Sequence, residues 1–146
     1  MKTVKILLVD DHEIARSGLK TFIRNFVPNA DIEEACNGDA ALKKVTQDEH
    51  DLIILDAYMP GTDSFSLVTQ ILGERPRSKI LIFTISKEVT CWQRYLELGA
   101  LGYLNKEAPV DDMRKAIVNV MNNKIYFCPA LTENITQFAL DKSAQT

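Results

Sequence analysis

The sequence predicts an α/β fold, in which a doubly wound sheet of parallel strands carries helices on both faces. Short apolar runs alternate five times with amphipathic stretches along the 146 residues. Runs such as Leu52-Ile53-Ile54-Leu55 are apolar throughout, which is typical of strands buried on both faces. Turn-forming pairs such as Asn37-Gly38 and Pro60-Gly61 fall between the elements. Because this alternation with short loops favours right-handed βαβ units, we expect the strands to lie parallel in one sheet.

Each element is predicted from its own pattern. The strands are predicted near residues 4–9, 31–36, 51–55, 79–83 and 101–104. The helices are predicted over about 13–26, from about 38, over about 64–72, over about 87–98, and from Pro109. In the first helix Ile14, Leu19 and Phe22 recur at helical spacing. The last helix begins with a proline, which favours the first turn, and Asp111-Asp112 complement the helix dipole there.

Residues 1–124 are predicted to form one domain, and residues 125–146 a linker or C-terminal extension. Ile125-Tyr126-Phe127-Cys128-Pro129 is an extended apolar segment. After Pro129 the spacing of Leu131, Ile135 and Phe138 predicts a short helix. The chain length suits one domain with such an extension.

The composition excludes several classes of protein. A net charge of −3 and a pI near 5.4 argue against strong nucleic-acid binding by this chain itself. The three cysteines, Cys36, Cys91 and Cys128, lack metal-ligand spacing, so we expect neither disulfides nor zinc, and a reducing cytoplasm fits best. The start, Met1 to Lys5, is not a signal peptide, and no apolar run approaches transmembrane length.

Polar side chains follow four of the predicted strands where the strands end. Asp10 and Asp11 follow the first strand, Asp56 the third, Thr84 the fourth and Lys106 the fifth. Taken singly, each has an ordinary explanation, such as a turn former, a helix cap or a surface lysine. Together they would meet at the edge where open α/β sheets bind ligands. Three carboxylates repel one another there, so a divalent metal and the lysine should compensate, and one carboxylate could attack phosphorus.

That order of residues resembles the receiver domain of bacterial response regulators. The resemblance covers about residues 4–122 and rests on Leu7-Leu8-Val9-Asp10-Asp11, Asp56-Ala57-Tyr58-Met59-Pro60-Gly61, Thr84 and Lys106. It implies a flavodoxin-like (βα)5 fold with a five-stranded parallel sheet in the order 2-1-3-4-5. It also implies that the chain accepts a phosphoryl group on Asp56 from a sensor histidine kinase and is not a turnover enzyme.

The resemblance further implies a role for each residue of the site. Asp10 and Asp11 would hold Mg²⁺ with the Asp56 side chain and the backbone carbonyl of Tyr58. Lys106 would pair with Asp56 and then with the phosphoryl oxygens. As switch residues, Thr84 would donate to the phosphoryl group, and Tyr103 would turn inward into the space that Thr84 vacates.

Two further segments resemble the NarL/FixJ (LuxR-type) subfamily. They are Asp10-Asp11-His12 followed by Arg16-Ser17-Gly18-Leu19, and Leu98 to Glu107. The resemblance implies a transcriptional output and DNA binding only through a C-terminal helix-turn-helix domain absent from this chain. The alternative is a stand-alone receiver acting by protein–protein contact. A homodimer is expected on phosphorylation, through the surface of Lys20, Arg24, Lys115 and Asn119 or through that of Trp92, Tyr95 and Tyr103.

Some positions depart from the family pattern or stay open. Ser64 stands where a glycine is usual, and Glu107 where many receivers have proline. Tyr58 could shield the phosphoryl group or lie on the surface. A phosphatase with an aspartyl-phosphate intermediate would need a second acid where Tyr58 stands, and a degenerate receiver would lack pocket residues, so both alternatives rank lower. His12 abuts the acidic pair and could be read as a ligand or a base, but we expect it to face solvent at a helix start. We expect Trp92 to be partly buried.

Overall fold

The computed structural model describes residues 2–84 and 89–127. Its strands are β1 (Val4–Val9), β2 (Ala30–Ala35), β3 (Leu52–Asp56), β4 (Ile80–Thr84), β5 (Gly102–Asn105) and β6 (Tyr126–Phe127). Its helices are α1 (Glu13–Phe26), α2 (Gly38–Gln47), α3 (Ser64–Glu74), α4 (Val89–Leu98) and α5 (Val110–Met121). Each predicted strand and helix up to residue 122 has a counterpart, with bounds that differ by at most two residues, and the predicted start of the fourth helix at 87–88 lies outside the described residues. The short helix predicted after Pro129 lies outside the described residues.

The described strands form one parallel sheet in the order β2-β1-β3-β4-β5-β6. The predicted order 2-1-3-4-5 is therefore confirmed, and the prediction of five strands needs one addition. The two-residue strand β6 pairs with β5 beyond α5, in a segment that we had predicted to be a linker. The division of the chain at residue 124 stays a prediction.

Gly102 explains how β6 and α5 approach the sheet so closely. A Cβ atom at this position would lie 2.6 Å from Leu81, 2.8 Å from Val120 and 3.3 Å from the backbone carbonyl of Tyr126. These distances leave no room for a side chain, so glycine permits the contact of β5 with both neighbours. The backbone N–H of Tyr126 then donates to the carbonyl of Leu101 at 2.9 Å.

The sheet separates two apolar layers, as period-two alternation along buried strands requires. In β1, Leu7 and Val9 belong to the layer beneath α2, α3 and α4, whereas Ile6 and Leu8 belong to the layer beneath α1 and α5. Burying both faces of the central strands supplies the main apolar contribution to folding. The layers leave the carboxyl ends of the strands uncovered, so polar side chains can collect there.

The expectation that Trp92 is partly buried is wrong. Its side chain is 0% exposed and belongs to the layer beneath α2, α3 and α4, together with Tyr95 and Tyr103. The reason is that α4 turns this face onto the sheet, so its aromatic residues are core.

Among the described residues, no helix combines the length and apolar character needed to cross a membrane. The longest described helix, α1, has 14 residues and carries charged side chains.

Candidate functional site

Asp10 lies immediately beyond β1 and is held on three sides. Its backbone N–H donates to the carbonyl of Ala35, which extends the pairing with β2 by one residue. One carboxylate oxygen, Oδ1, accepts the backbone N–H of His12 at 2.9 Å. The other, Oδ2, accepts from Lys106 Nζ at 3.0 Å. The carboxylate is buried and both its oxygens have partners, so its position is fixed.

Asp56 is the last residue of β3, and its side chain is only 3% exposed. Oδ1 accepts the backbone N–H of Tyr58 at 3.0 Å, a turn that the aspartate forms with its own loop. Oδ2 lies 3.4 Å from Lys106 Nζ. The carboxylate therefore faces the same ammonium group as Asp10, at the edge predicted from the sequence.

Lys106 reaches this edge because β4 and β5 are in register. Thr84, the last residue of β4, is opposite Asn105, and the backbone N–H of Lys106 donates to the Thr84 carbonyl at 2.7 Å. The Lys106 ammonium then lies between the two buried carboxylates. The Lys106–Glu107 peptide bond is trans, although proline is usual at the position of Glu107. Thr84 itself is fully buried.

The two aspartates differ in how readily they ionise. Burial raises the pKa of Asp56 above its ordinary value, and the negative charge of Asp10 adds to this rise. The N–H of Tyr58 and Lys106 oppose the rise without cancelling it. For Asp10, burial acts in the same upward direction, but the bonds from His12 and Lys106 outweigh it, so the pKa of Asp10 lies below its ordinary value. Folding thus costs free energy to keep Asp56 ionised.

The acidic side chains fit a divalent cation. Asp10, Asp11, His12 and Asp56 each offer one ligand atom, and these four atoms all lie within 4.8 Å of one another. Carboxylate oxygens are the ligands that Mg²⁺ takes, and a cation would relieve the repulsion between Asp10 and Asp56. The cluster can therefore hold a metal ion. The role predicted for the carbonyl of Tyr58 stays a prediction.

The remaining predicted positions lie at or near the site. The Tyr58 side chain is 70% exposed, so it lies on the surface beside Asp56. Ser64 is buried and its hydroxyl donates to the carbonyl of Ala57 at 2.6 Å, which ties the start of α3 to the loop after Asp56. Tyr103 is buried with its ring centroid 5.9 Å from that of Tyr95. The switch role predicted for Tyr103 and Thr84 stays a prediction.

Two side chains at the start of α1 make contacts at the acidic cluster that the sequence did not predict in detail. Arg16, noted only as part of a subfamily motif, donates from Nη1 to the backbone carbonyl of Asp10 and from Nε to Glu34 at 3.1 Å. His12 faces solvent at the start of α1, as expected, with 67% of its side chain exposed, and its Nδ1 also lies 3.2 Å from Asp10 Oδ1 and 3.0 Å from Asp11 Oδ1. The available signal was their position in and just before the first turn of α1, beside the end of β1.

Comparisons with known proteins agree with this geometry. The family model "Response regulator receiver domain" matches residues 6–118. The oxygen regulatory protein NreC of Staphylococcus carnosus is 31% identical over 144 residues, which cover 97% of this chain and 66% of that protein. The transcriptional regulatory protein LnrK of Bacillus subtilis is 33% identical over 129 residues, covering 88% and 59%. The response regulator GacA of Pseudomonas syringae is 28% identical over 132 residues, covering 90% and 62%.

Solved structures agree as well. A two-component response regulator of the LuxR family from Aurantimonas has a TM-score of 0.85 and 25% identity, covering 95% of this chain and 99% of that one. The isolated receiver domain of RcsB from Salmonella enterica, solved with beryllofluoride, has a TM-score of 0.81 at 19% identity, covering 90% and 98%, which shows the fold alone. The chain spans between 59% and 66% of the length of the three curated relatives.

The opposite pKa shifts predict opposite effects of two matched substitutions on stability. Asp56 binds a proton more readily in the folded chain, so its ionisation lowers the free energy of unfolding as pH rises from its ordinary pKa through the raised one. Asp10 contributes stability above its ordinary pKa and loses it as pH falls through the lowered one. With a chelator at neutral pH, Asp56→Asn should therefore be more stable than the wild type. Asp10→Asn should lose about 1–3 kcal/mol with its charge-assisted bonds.

Urea unfolding of the three proteins across the acidic and neutral range measures both effects. The advantage of Asp56→Asn should shrink as pH falls below the raised pKa of Asp56, because the wild-type carboxyl is then neutral as well. An Asp56→Asn chain less stable than the wild type at neutral pH would contradict the conclusion that folding raises the pKa of Asp56.

Proposed function

Because this chain belongs to the family of response regulator receiver domains, we propose that it accepts a phosphoryl group on Asp56 from a sensor histidine kinase and changes conformation in response. The observation that carries this proposal is the position of one ammonium group, Lys106, within 3.4 Å of the Asp56 carboxylate and 3.0 Å of Asp10. A buried carboxylate with a cation at this distance and a cluster of further acids beside it suits phosphoryl transfer better than a purely structural role.

The transfer would be an in-line displacement at phosphorus. A carboxylate oxygen of Asp56 forms a bond to phosphorus, and the bond from phosphorus to the imidazole nitrogen of the donor breaks, so the electron pair leaves with the imidazole. Asp10, Asp11 and Asp56, with the carbonyl of Tyr58, would hold Mg²⁺, which supplies positive charge to the phosphoryl oxygens. The Lys106 ammonium would then pair with the phosphoryl oxygens, and the Thr84 hydroxyl would donate a hydrogen bond to the phosphoryl group.

The chain acts as a phosphoacceptor and not as a turnover enzyme in this proposal. A phosphatase of similar layout needs a second acid two residues beyond its nucleophile, to activate water for release of the phosphoryl group. Tyr58 stands there in place of a carboxylic acid. The lack of an acid at this position supports an acceptor rather than a hydrolase.

We propose that the output is transcriptional, through a DNA-binding domain outside this chain. We also propose that the chain acts in the cytoplasm. The support is the name of one relative, the transcriptional regulatory protein LnrK, and the fact that the chain spans only part of such relatives. The net charge of −3 gives this chain no strong attraction of its own for DNA. A stand-alone receiver that acts by protein contact is the alternative.

The proposal predicts that incubation with acetyl phosphate and Mg²⁺ adds the mass of one phosphoryl group to the chain. Asp56→Asn removes the nucleophilic oxygen and should show no addition, while its amide keeps the size of the side chain. Asp51→Asn is the matched control, because Asp51 is an exposed aspartate before β3, at the opposite end of the strand from Asp56. Intact-mass spectrometry measures the addition. Equal phosphorylation of Asp56→Asn and the wild type would contradict the assignment.

An apolar surface beside the site suits the protein that delivers the phosphoryl group. Ile14 is 89% exposed and Val110 59% exposed, and both line an open cavity of about 400 Å³ that extends to Lys106. Exposed apolar side chains grouped this way mark protein contacts. We propose that the histidine kinase docks here, because a donor imidazole must approach Asp56 from the side that Lys106 faces.

Ile14→Ala should therefore slow phosphoryl transfer from a phosphorylated histidine kinase by about five- to tenfold, the loss of one apolar anchor. Transfer from acetyl phosphate should be unchanged, because the small donor needs no docking surface. Ile125→Ala, the same truncation at an exposed isoleucine outside the cavity, is the control. Rapid-quench kinetics measures the rates. Equal slowing with both donors would mean that Ile14 affects the site and not docking.

Self-association on phosphorylation is also proposed, through the outer face of α1 and α5. Trp92, Tyr95 and Tyr103, the core of the alternative surface, are buried and cannot meet a partner without rearrangement. Arg24 and Lys115 are exposed, and beside them on α5 Val118 is 47% exposed. These residues supply both the charge and the apolar contact that an interface uses.

Sedimentation of the chain with and without beryllofluoride, a mimic of the phosphoryl group, should show a dimer only in its presence. Val118→Asp should weaken that dimer, because it buries a charge in the contact, without preventing phosphorylation of Asp56. A chain that stays monomeric with beryllofluoride at high micromolar concentration would contradict this proposal.

A further inference from the structure

The imidazole of His12 lies against the acidic cluster, and the proposed phosphoryl transfer gives it no role. Its Nδ1 atom is 3.0 Å from Asp11 Oδ1 and 3.2 Å from Asp10 Oδ1. The side chain is 67% exposed, so the ring covers the solvent side of the carboxylates and is not held there by burial. His12 also precedes α1 without capping it, since its side chain makes no bond to the first turn.

These separations match those of neighbouring ligands around one metal ion. In an octahedral site with bonds of about 2.0–2.2 Å, adjacent ligand atoms lie about 3 Å apart. The distances from His12 Nδ1 to the two carboxylate oxygens fall at this value, and Asp56 offers a fourth atom within 4.8 Å of the others. The chain thus places one imidazole nitrogen beside three carboxylates, at separations that a hydrogen bond to Asp10 also satisfies in the absence of an ion.

The type of ligand decides which ion gains from this arrangement. Mg²⁺ takes oxygen ligands and water and gains little from an imidazole. Divalent transition metals bind imidazole well, and their affinity for nitrogen sites rises from Mn²⁺ through Co²⁺ to Ni²⁺. We propose that His12 Nδ1 is a ligand of the ion held by Asp10, Asp11 and Asp56, so that this imidazole raises the affinity of the site for divalent transition metals and leaves its affinity for Mg²⁺ nearly unchanged. This inference rests on the proposed function, which places an ion at these carboxylates.

Backbone contacts place His12 for this role. The N–H of His12 donates to Asp10 Oδ1, and its carbonyl accepts from the N–H of Arg16 in the first turn of α1. The Arg16 side chain in turn bonds the carbonyl of Asp10. The backbones of Asp10 and His12 are therefore tied to one helical turn, which keeps the imidazole over the carboxylates. The other described histidine, His50, bonds Glu33 instead and lies outside the cluster.

The test compares metal affinities of the whole chain with those of His12→Ala and His12→Asn at one fixed pH. Titrations with Mg²⁺, Mn²⁺, Co²⁺ and Ni²⁺ should show that both substitutions weaken transition metals progressively along the series, by about tenfold or more for Ni²⁺. Affinity for Mg²⁺ should change by no more than about twofold, because His12 is not a favoured ligand for it. Glu13→Gln is the control, since Glu13 is exposed, adjacent in sequence and outside the ligand cluster.

Pulsed electron paramagnetic resonance of bound Mn²⁺ gives a direct readout that does not depend on activity. Coupling to a directly bound nitrogen should be present in the wild type and in Glu13→Gln, and absent in His12→Ala. If all ions bind His12→Ala as tightly as the wild type and no nitrogen coupling is seen, the inference is overturned while the proposed metal site stands. Equal weakening of Mg²⁺ and the transition metals would also overturn it. If no ion binds the wild type, the metal in the proposed function fails first.

Discussion

The position of Lys106 between two buried carboxylates is the interaction on which the site depends. Asp10 and Asp56 end neighbouring strands, β1 and β3, so a parallel sheet brings their charges together. Without the ammonium, burial and mutual repulsion would both act against ionisation. With the ammonium present, the pKa of Asp10 lies below its ordinary value while the pKa of Asp56 lies above its own. The free-energy cost of ionisation therefore falls on Asp56, the carboxylate that the proposed chemistry modifies.

The sheet places Lys106 there through the register of two strands. Thr84 is opposite Asn105, and the Thr84 carbonyl accepts the Lys106 backbone N–H. A shift of one residue would turn the side chains of β5 to the other face and move Lys106 away from the carboxylates. Leu104, buried in the layer beneath α1 and α5, opposes such a shift because it would leave that layer. The packing of the core thus maintains the geometry of charges that lie outside it.

Much of this was predictable because parallel strands end at one edge. That rule, applied to Asp10, Asp56 and Lys106, predicted three side chains that the structure brings together. What the rule leaves out is the direction of side chains on helices and the approach of segments distant in the chain. The burial of Trp92 depends on which face α4 turns to the sheet. The strand β6 depends on the space left at Gly102. Neither the burial of Trp92 nor the strand β6 has a signal in the nearby sequence as clear as a polar residue at the end of an apolar run.

The same contacts connect the proposed phosphorylation site to the rest of the fold. β4 ends at Thr84 and pairs with β5, which carries Tyr103, and the ring of Tyr103 packs near Tyr95 on α4. The ring centroid of Tyr95 lies 4.6 Å from that of Phe65 in α3, the helix that follows the loop after Asp56. New charge on Asp56 can shift this aromatic chain only by as much as Lys106 and Thr84 bind it better in one arrangement than in the other. Since Lys106 also pairs with Asp10, the proposed switch would depend in part on how far a phosphoryl group draws the ammonium away from Asp10.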